Sequence, residues 1–293
     1  MDTIRFDATS LCPTIPGSVR FNASLIESGS GYLLCFRNSW KDSRVYAARL
    51  DKDLQPTGEY RRIEFPRGAI SKGHEDPRWF RVGGRLGISV VLFSGRSTHV
   101  CYGFVNESSL ELEEFYWPQN TDFRLREKNW GHFEYHGELY AVYSIAPHRI
   151  LHIPQVPFGE DPVAKFVHQT PFVGKWSGGF LRGGASPLLH NGEMYSFFHG
   201  SVVQGNGRRL YNCGVYTFAP RPPFEILRYT PHPIAVADPD AIPKAPTVDC
   251  IFPAGAVYRD GVWLVSYGVN DIWIEIRSYE AVEIERKLVK HAY

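Results

Sequence analysis

Five turn dipeptides recur along the chain at nearly constant spacing, and that recurrence limits the fold more than any other feature. Ser30-Gly31, Gly83-Gly84, His136-Gly137, Asn191-Gly192 and Asp260-Gly261 each sit between two strand-like runs; the runs that follow them are YLLCFR, RLGISVVLF, ELYAVYSI, EMYSFFHG and VWLVSYGVND. A turn dipeptide rich in Gly, Asn or Asp between apolar runs signals a hairpin, because tight hairpin turns need backbone that these residues adopt cheaply. The second glycines fall at 31, 84, 137, 192 and 261, at intervals of 53, 53, 55 and 69 residues. Further strand-like runs follow the hairpins: VYAARL, HVCYGFV, RILHI, YNCGVYTF and IWIEIRSY. No long segment carries a helical period; LELEEF is too short, and VEIERKL alternates as well as it turns. The chain therefore reads as all-β, a single domain over 1–293 built as a five-bladed β-propeller, with units at roughly 20–55, 75–110, 128–160, 183–220 and 250–285. A β-sandwich with irregular strand spacing is the alternative, and the near-constant interval favours the propeller. The long last interval holds FAPRPPF and PHPIAVADPDAIPKAP, which read as a loop crossing between the last two units.

Composition narrows the function classes. A formal net charge of +1 supplies no long-range field for nucleic acid or an anionic membrane, and no Lys/Arg cluster rivals a nucleic-acid patch. Aromatic residues make up 14% of the chain, which suits pleated sheets and equally suits a sugar binder. The five cysteines, at 12, 35, 101, 213 and 250, form no CxxC pair and read as buried free thiols in a reducing compartment. The start, MDTIRFDATS, has no apolar signal region, and no run of about 18 apolar residues occurs. A cytoplasmic monomer or dimer is expected. His132, His136 and His148 show no metal-ligand spacing with carboxylates, so neither a metal nor any other cofactor is expected.

Polar motifs occupy one phase of the repeat. Counting back from the turn glycines, Asn22 precedes its glycine by nine residues, Asp76, Asn129 and Pro253 by eight, and Ser186 by six. The motifs FNAS, HEDPR, KNW, GGASP and FPAGA thus stand at the entry to the first strand of each hairpin. In a propeller such positions ring the central axis. A second ring follows the hairpin turns, with Arg37, Ser144, His199 and Tyr267 six or seven residues past the glycine and Arg149 and Asp271 a little further on. Charged and amide groups at the ends of apolar strands are costly if buried without partners, so their repetition points to a shared polar cavity.

In order, FNAS, YLLCFR, EDPR, KNW, GGASP, FHG, YNCG, FPAGA and SYGVND resemble the motif series of glycoside hydrolase family 130, over about residues 20 to 275. The resemblance implies a five-bladed propeller acting on β-mannosides, most often a phosphorylase that cleaves the bond with inorganic phosphate and inverts the anomeric centre. It implies that Asp76 is the general acid, delivering its proton through a hydroxyl of the bound mannose. Asn22, Arg37 and Asp271 would hold the sugar. Ser24, Glu75 and Arg78, beside these in the motifs, are expected in the same set, as is Trp130: core packing is the default for each tryptophan, but Trp130 ends KNW and is the candidate sugar platform. Lys128, Asn129, Arg149, His199 and Tyr211 would surround the phosphate. The chain departs from the pattern in Val269-Asn270 before the last aspartate, in GGASPLL, and in Lys128, where arginine is usual.

The chemistry is consistent with that implication. Inversion needs one acid at the leaving oxygen and a nucleophile on the opposite face. Phosphate is already a nucleophile and needs only positive and hydrogen-bonding groups. Three other readings remain open: a transferase using nucleotide-activated mannose, a β-mannosidase with a second carboxylate that activates water, and a non-catalytic lectin-like propeller.

Overall fold

The computed structural model describes residues 2–6, 11, 19–39, 43–66, 73–94, 96–205, 207–237 and 248–291. Cys12, Trp40 and residues 238–247 of the proline-rich loop lie outside them. The chain is almost entirely β. Three four-stranded antiparallel sheets follow one another: β1 (Thr3–Phe6) stands apart, then β2 (Phe21–Ser28), β3 (Gly31–Arg37), β4 (Val45–Leu50) and β5 (Pro56–Ile63) form the first. The second holds β6 (His74–Val82), β7 (Arg85–Ser94), β8 (Ser97–Val105) and β9 (Leu112–Tyr116). The third holds β10 (Gly131–Tyr135), β11 (Glu138–Ile145), β12 (His148–Ile153) and β13 (Lys165–Thr170).

The last two predicted units share one larger sheet. Its fourth-unit strands are β14 (Phe180–Arg182), β15 (Leu188–His190), β16 (Glu193–Val203), β17 (Arg209–Phe218), β18 (Ile226–Tyr229) and β19 (Ala235–Val236). Its fifth-unit strands are β20 (Val248–Arg259), β21 (Val262–Val269) and β22 (Trp273–Glu280). A short parallel pairing of β17 with β20 joins the two groups. β1 comes back from the start of the chain to pair antiparallel with β22, matching Phe6 to Ile274. One helix, α1 (Ala281–Lys287), and the short β23 (Val289–Lys290) follow. The ambiguous VEIERKL run is thus mostly helical: Ile284 is buried, Glu283 lies in the first turn, and Arg286 and Lys287 complement the dipole in the last. No described helix is long and apolar enough to cross a membrane.

Four of the five turn dipeptides form as read. Gly83-Gly84, His136-Gly137, Asn191-Gly192 and Asp260-Gly261 each have positive φ at both residues, the geometry of a type I′ hairpin turn. The first turn is offset: Ser28 pairs with Gly31, so Gly29-Ser30 makes the turn and only Gly29 has positive φ. The first four expected units end too early. β5, β9, β13 and β18 all lie beyond the expected boundaries, because these last strands carry little apolar alternation; PTGEYRRI in β5 is largely exposed.

The buried clusters lie between consecutive sheets. One joins the first and second units through Leu33, Trp79 and Ile88, and the next joins the second and third through Phe80, Trp130 and Leu151. Phe133 and Phe198 meet in the third-to-fourth cluster, and Phe197 and Trp263 in the fourth-to-fifth. A last cluster brings Phe6, Leu34 and Ile276 together, so the final unit packs on the first. Cys35, Cys101, Cys213 and Cys250 are buried free thiols.

Phe6 is 3% exposed in that closing cluster. Phe6→Ala is expected to lower unfolding stability by about 3 kcal/mol, the cost of a buried phenylalanine truncation. Urea denaturation would measure it, and a change under 1 kcal/mol would mean that β1 does not close the structure.

Candidate active site

The innermost strands bulge at one level. The register of β2 slips between Phe21 and Ser24, that of β6 between Glu75 and Arg78, and that of β20 between Pro253 and Gly255. Asn22 (φ 52°) and Asp76 (φ 50°) occupy two of these bulges in left-handed backbone, and Asn129 (φ 65°) does the same just ahead of β10. Asn and Asp tolerate this conformation better than other non-glycine residues. Pro77 and Pro253 fit at bulges because no ladder hydrogen bond is asked of them there. A bulge re-aims a side chain out of the alternating pattern, and here the re-aimed groups converge.

They converge on a cavity of about 280 Å³ lined by Phe21, Asn22, Arg37, Glu75, Asp76, Lys128, Asn129, Arg182, His199, Tyr211, Cys250, Phe252 and Asp271. Asn22 Nδ2 donates to Asp76 Oδ1 at 2.7 Å, and Arg37 Nη1 lies 3.6 Å from the same oxygen. Glu75 bridges two cations: Arg37 Nη2 donates to its Oε1 at 3.0 Å and Lys128 Nζ to its Oε2 at 2.7 Å. The Arg37 guanidinium also lies over the Phe21 ring, 4.7 Å from its centroid. Asn22 comes so close to Gly268 that a Cβ there would fall 1.9 Å from Asn22 Oδ1, which explains the glycine in SYGVND. Asn270 donates its backbone N–H to Cys250 O and accepts from the Cys250 N–H with its side-chain Oδ1, anchoring the turn that carries Asp271.

The carboxyls in this cavity differ in proton affinity. Burial alone would raise Asp76, but the charges of Lys128, Arg37 and Arg78, with the Asn22 amide, outweigh it and hold the carboxyl below its usual range. Burial raises Asp271 to about 6; Arg37 and Lys128 oppose the rise, and Asp76 and Glu75 add to it. His199 is driven down to about 3, by burial first and then by Arg78 and Arg182, so it is a neutral imidazole rather than a cation.

Nine of the thirteen expected site residues line the cavity: Asn22, Arg37, Glu75, Asp76, Lys128, Asn129, His199, Tyr211 and Asp271. Four are elsewhere. Ser24 Oγ accepts from the Trp79 backbone N–H and knits β2 to β6. Arg78 is sealed beneath the cavity, donating to the Asp76 and Gly184 carbonyls. Trp130 is 1% exposed, packs among Phe123 and Tyr143, and donates its Nε1–H to Glu127, so no ring face is open to a sugar. Arg149 sits on the third strand of its sheet, with its guanidinium stacked 3.7 Å from the Phe166 ring centroid of the strand outside it. Ser144 and Tyr267 also leave the expected ring: Ser144 Oγ donates to Pro147 O, and Tyr267 is buried with its hydroxyl against Tyr279. Among the described residues no cluster of His, Cys, Asp and Glu could hold a metal ion.

Sequence reasoning missed Arg182, Phe21, Cys250 and Phe252 in the lining. Arg182 directly precedes GGASP and stands opposite His199 in the β14–β16 register, a signal that could have been read. It forms no ion pair among the described residues, unlike Arg37 and Lys128.

No protein-family model and no curated protein matches this chain. Solved structures do. A β-1,2-mannobiose phosphorylase from Listeria innocua superposes with a TM-score of 0.69 at 17% identity, covering 98% of this chain and 99% of that one. A mannose phosphorylase from Leishmania mexicana, in complex with phosphate ion, gives 0.62 at 15% identity over 95% and 89%. A structure described under the GH130 family of mannoside phosphorylases gives 0.69 at 12% identity over 90% and 85%. The protein has the glycoside hydrolase family 130 fold. Within the same fold, a GDP-Man-dependent mannosyltransferase from Leishmania mexicana gives 0.60 at 15% identity over 96% and 90%.

Two predictions follow from the geometry. Trp130→Phe should lower stability by about 1–2 kcal/mol through the lost bond to buried Glu127, yet leave sugar affinity unchanged. Calorimetric sugar titration beside thermal unfolding separates the two, and a weakened sugar affinity would return Trp130 to the site. For Asp271, the folded carboxyl holds its proton more tightly than the unfolded one. Its contribution to stability is therefore full below the unfolded value near 4 and is lost as pH rises through about 6. Asp271→Asn keeps a residue that tolerates the 55° φ and removes the ionised form. It should stabilise the protein by about 1–2 kcal/mol at pH 8 and by little at pH 4, after allowance for the half-buried position. A stability difference that does not vary between these two pH values would count against the raised carboxyl.

Proposed function

We propose that the protein is a mannoside-processing enzyme, a single-domain five-bladed propeller that transfers a mannosyl group between a β-mannoside and inorganic phosphate with inversion. The observation that carries this reading is one cavity holding both Asp76 and a wall of donor groups, Lys128, Asn129, Arg182 and Tyr211. The cyclic succession of cores, closing from last unit to first through β1, supports the propeller. The shared fold with mannoside phosphorylases supports the substrate class.

In this mechanism Asn22, Arg37 and Asp271 hold the mannosyl ring. Lys128 and Arg182 attract phosphate, and Asn129, neutral His199 and Tyr211 hydrogen-bond it. Asp76 protonates the departing oxygen, through a mannose hydroxyl as the family resemblance implies. In the free protein the surrounding cations keep Asp76 ionised. A phosphate dianion beside Lys128 cancels part of that field and raises the Asp76 proton affinity. Phosphate binding and arming of the acid are then one event. Phosphate attacks the anomeric carbon from the face opposite the leaving oxygen, and no base is needed.

Hydrolysis is the second reading, and Asp271 favours it. A second carboxyl in the same cavity, with its proton affinity set apart from that of Asp76, is the pattern of an acid–base pair.

Short β-mannosides incubated with and without inorganic phosphate discriminate the readings. Phosphorolysis yields mannose 1-phosphate only when phosphate is present, and Asp76→Asn should reduce its rate by about 10²–10⁴-fold. Free mannose released regardless of phosphate, and lost in Asp271→Asn, would establish hydrolysis instead. No product in either tube would overturn both and direct the assay to GDP-mannose.

A further inference from the structure

Arg78 is 2% exposed and forms no salt bridge among the described residues. Its guanidinium instead ties together three segments of the inner ring. Nε donates to Gly184 O at 2.7 Å, Nη1 to Asp76 O at 2.9 Å, and Nη2 to Asn129 Oδ1 at 3.2 Å. Its other face is covered by the Phe252 ring, with the centroid 5.2 Å away. The segments are held close by necessity: a Cβ on Gly183 would fall 2.1 Å from the Asn129 carbonyl oxygen. The glycine pair of GGASP thus lets the chain reach both Asn129 and Arg78.

The chemistry of that contact settles the orientation of Asn129. Arginine has five N–H donors and no acceptor. The atom of the Asn129 amide that faces it must therefore be the oxygen, so the NH₂ end is turned away from Arg78. Asn129 lines the cavity, and its Nδ2 donates to no group among the described residues. Lysine could not make the same set of bonds, because a single ammonium lacks the planar fork. The bond to the Asp76 carbonyl, two residues back, also closes the bulge that aims the Asp76 carboxyl into the same space.

We propose that Arg78 is the positioning residue of the anion side of the site: it takes the Asn129 oxygen so that the Asn129 NH₂ faces a bound phosphate, and it holds the Asp76 bulge in place. The inference rests on the phosphate reading above and adds a residue that touches neither substrate. It makes the effect of Arg78 on phosphate pass through Asn129.

Calorimetric titration of the full chain with inorganic phosphate tests it without requiring turnover. Arg78→Lys should weaken phosphate binding at least tenfold. In an Asn129→Ala background the same substitution should add less than twofold, because the group it positions is gone. With a β-mannoside as co-substrate, the KM for phosphate should rise at least tenfold while that for the mannoside changes less than threefold. Guanidinium ion added to Arg78→Ala should restore phosphate affinity, and ammonium should not. Should the Arg78 variants fail to fold, Asn129→Asp carries the test. It still accepts from Arg78 but presents no donor, so it should keep the wild-type melting temperature and lose at least tenfold in phosphate affinity.

Phosphate affinity within twofold of wild type in Arg78→Lys or Asn129→Asp would overturn the proposal. So would equal losses from Arg78→Lys with and without Asn129. Wild-type protein that binds no phosphate would overturn the phosphate reading, and the proposal with it.

Discussion

The site depends on one backbone device, a bulge in the innermost strand that places a residue in left-handed conformation. A regular strand points alternate side chains to opposite faces, so its polar groups would be buried in the cores between sheets. The bulges at Asn22 and Asp76, and the left-handed turn at Asn129, break that alternation at one level. Three polar side chains from three units then meet at one cavity, where Asn22 bonds directly to Asp76 over 54 residues of sequence. The prolines of EDPR and FPAGA belong to the same device, since each stands at a bulge, where the ladder is already interrupted.

Charge in the cavity is balanced rather than uniformly basic. Arg37, Lys128 and Arg182 face Glu75, Asp76 and Asp271, and Glu75 already engages two of the three cations. An incoming anion would compete with Glu75 for Lys128, while Arg182 has no ion-pair partner among the described residues. The same balance separates the carboxyls: Asp76, bonded to Asn22 and beside Arg37, is held ionised, while Asp271 is dominated by burial.

The hairpins were legible because their signal is local. Positive φ at Gly84, Gly137, Gly192 and Gly261 is a property of the turn residues themselves. The fourth strand of each sheet was not legible, since β5 and β13 lie at the periphery and their residues alternate little between apolar and polar. Trp130 and Arg149 follow or flank the right motifs, yet their depth and facing depend on neighbours. Glu127 and Tyr143 draw the Trp130 ring into the core, and Phe166 on the adjacent strand captures the Arg149 guanidinium. Arg182 went unread although it abuts GGASP, because its position opposite His199 follows from strand pairing rather than from the turn count.

By itself, the sequence determined the strand-turn repeat, the residues able to adopt left-handed backbone, and the polar motifs at each strand entry. Those are short-range properties, set by glycine, asparagine, aspartate and proline within a few residues of one another. Tertiary structure alone decided which of the motif side chains share a cavity, that Arg78 lies beneath it, and that Asp271 rather than Asp76 holds its proton up to about pH 6. Proton affinity and side-chain facing are set by groups brought together from different sheets, and burial and Coulomb interaction at a few ångströms have no counterpart along the chain.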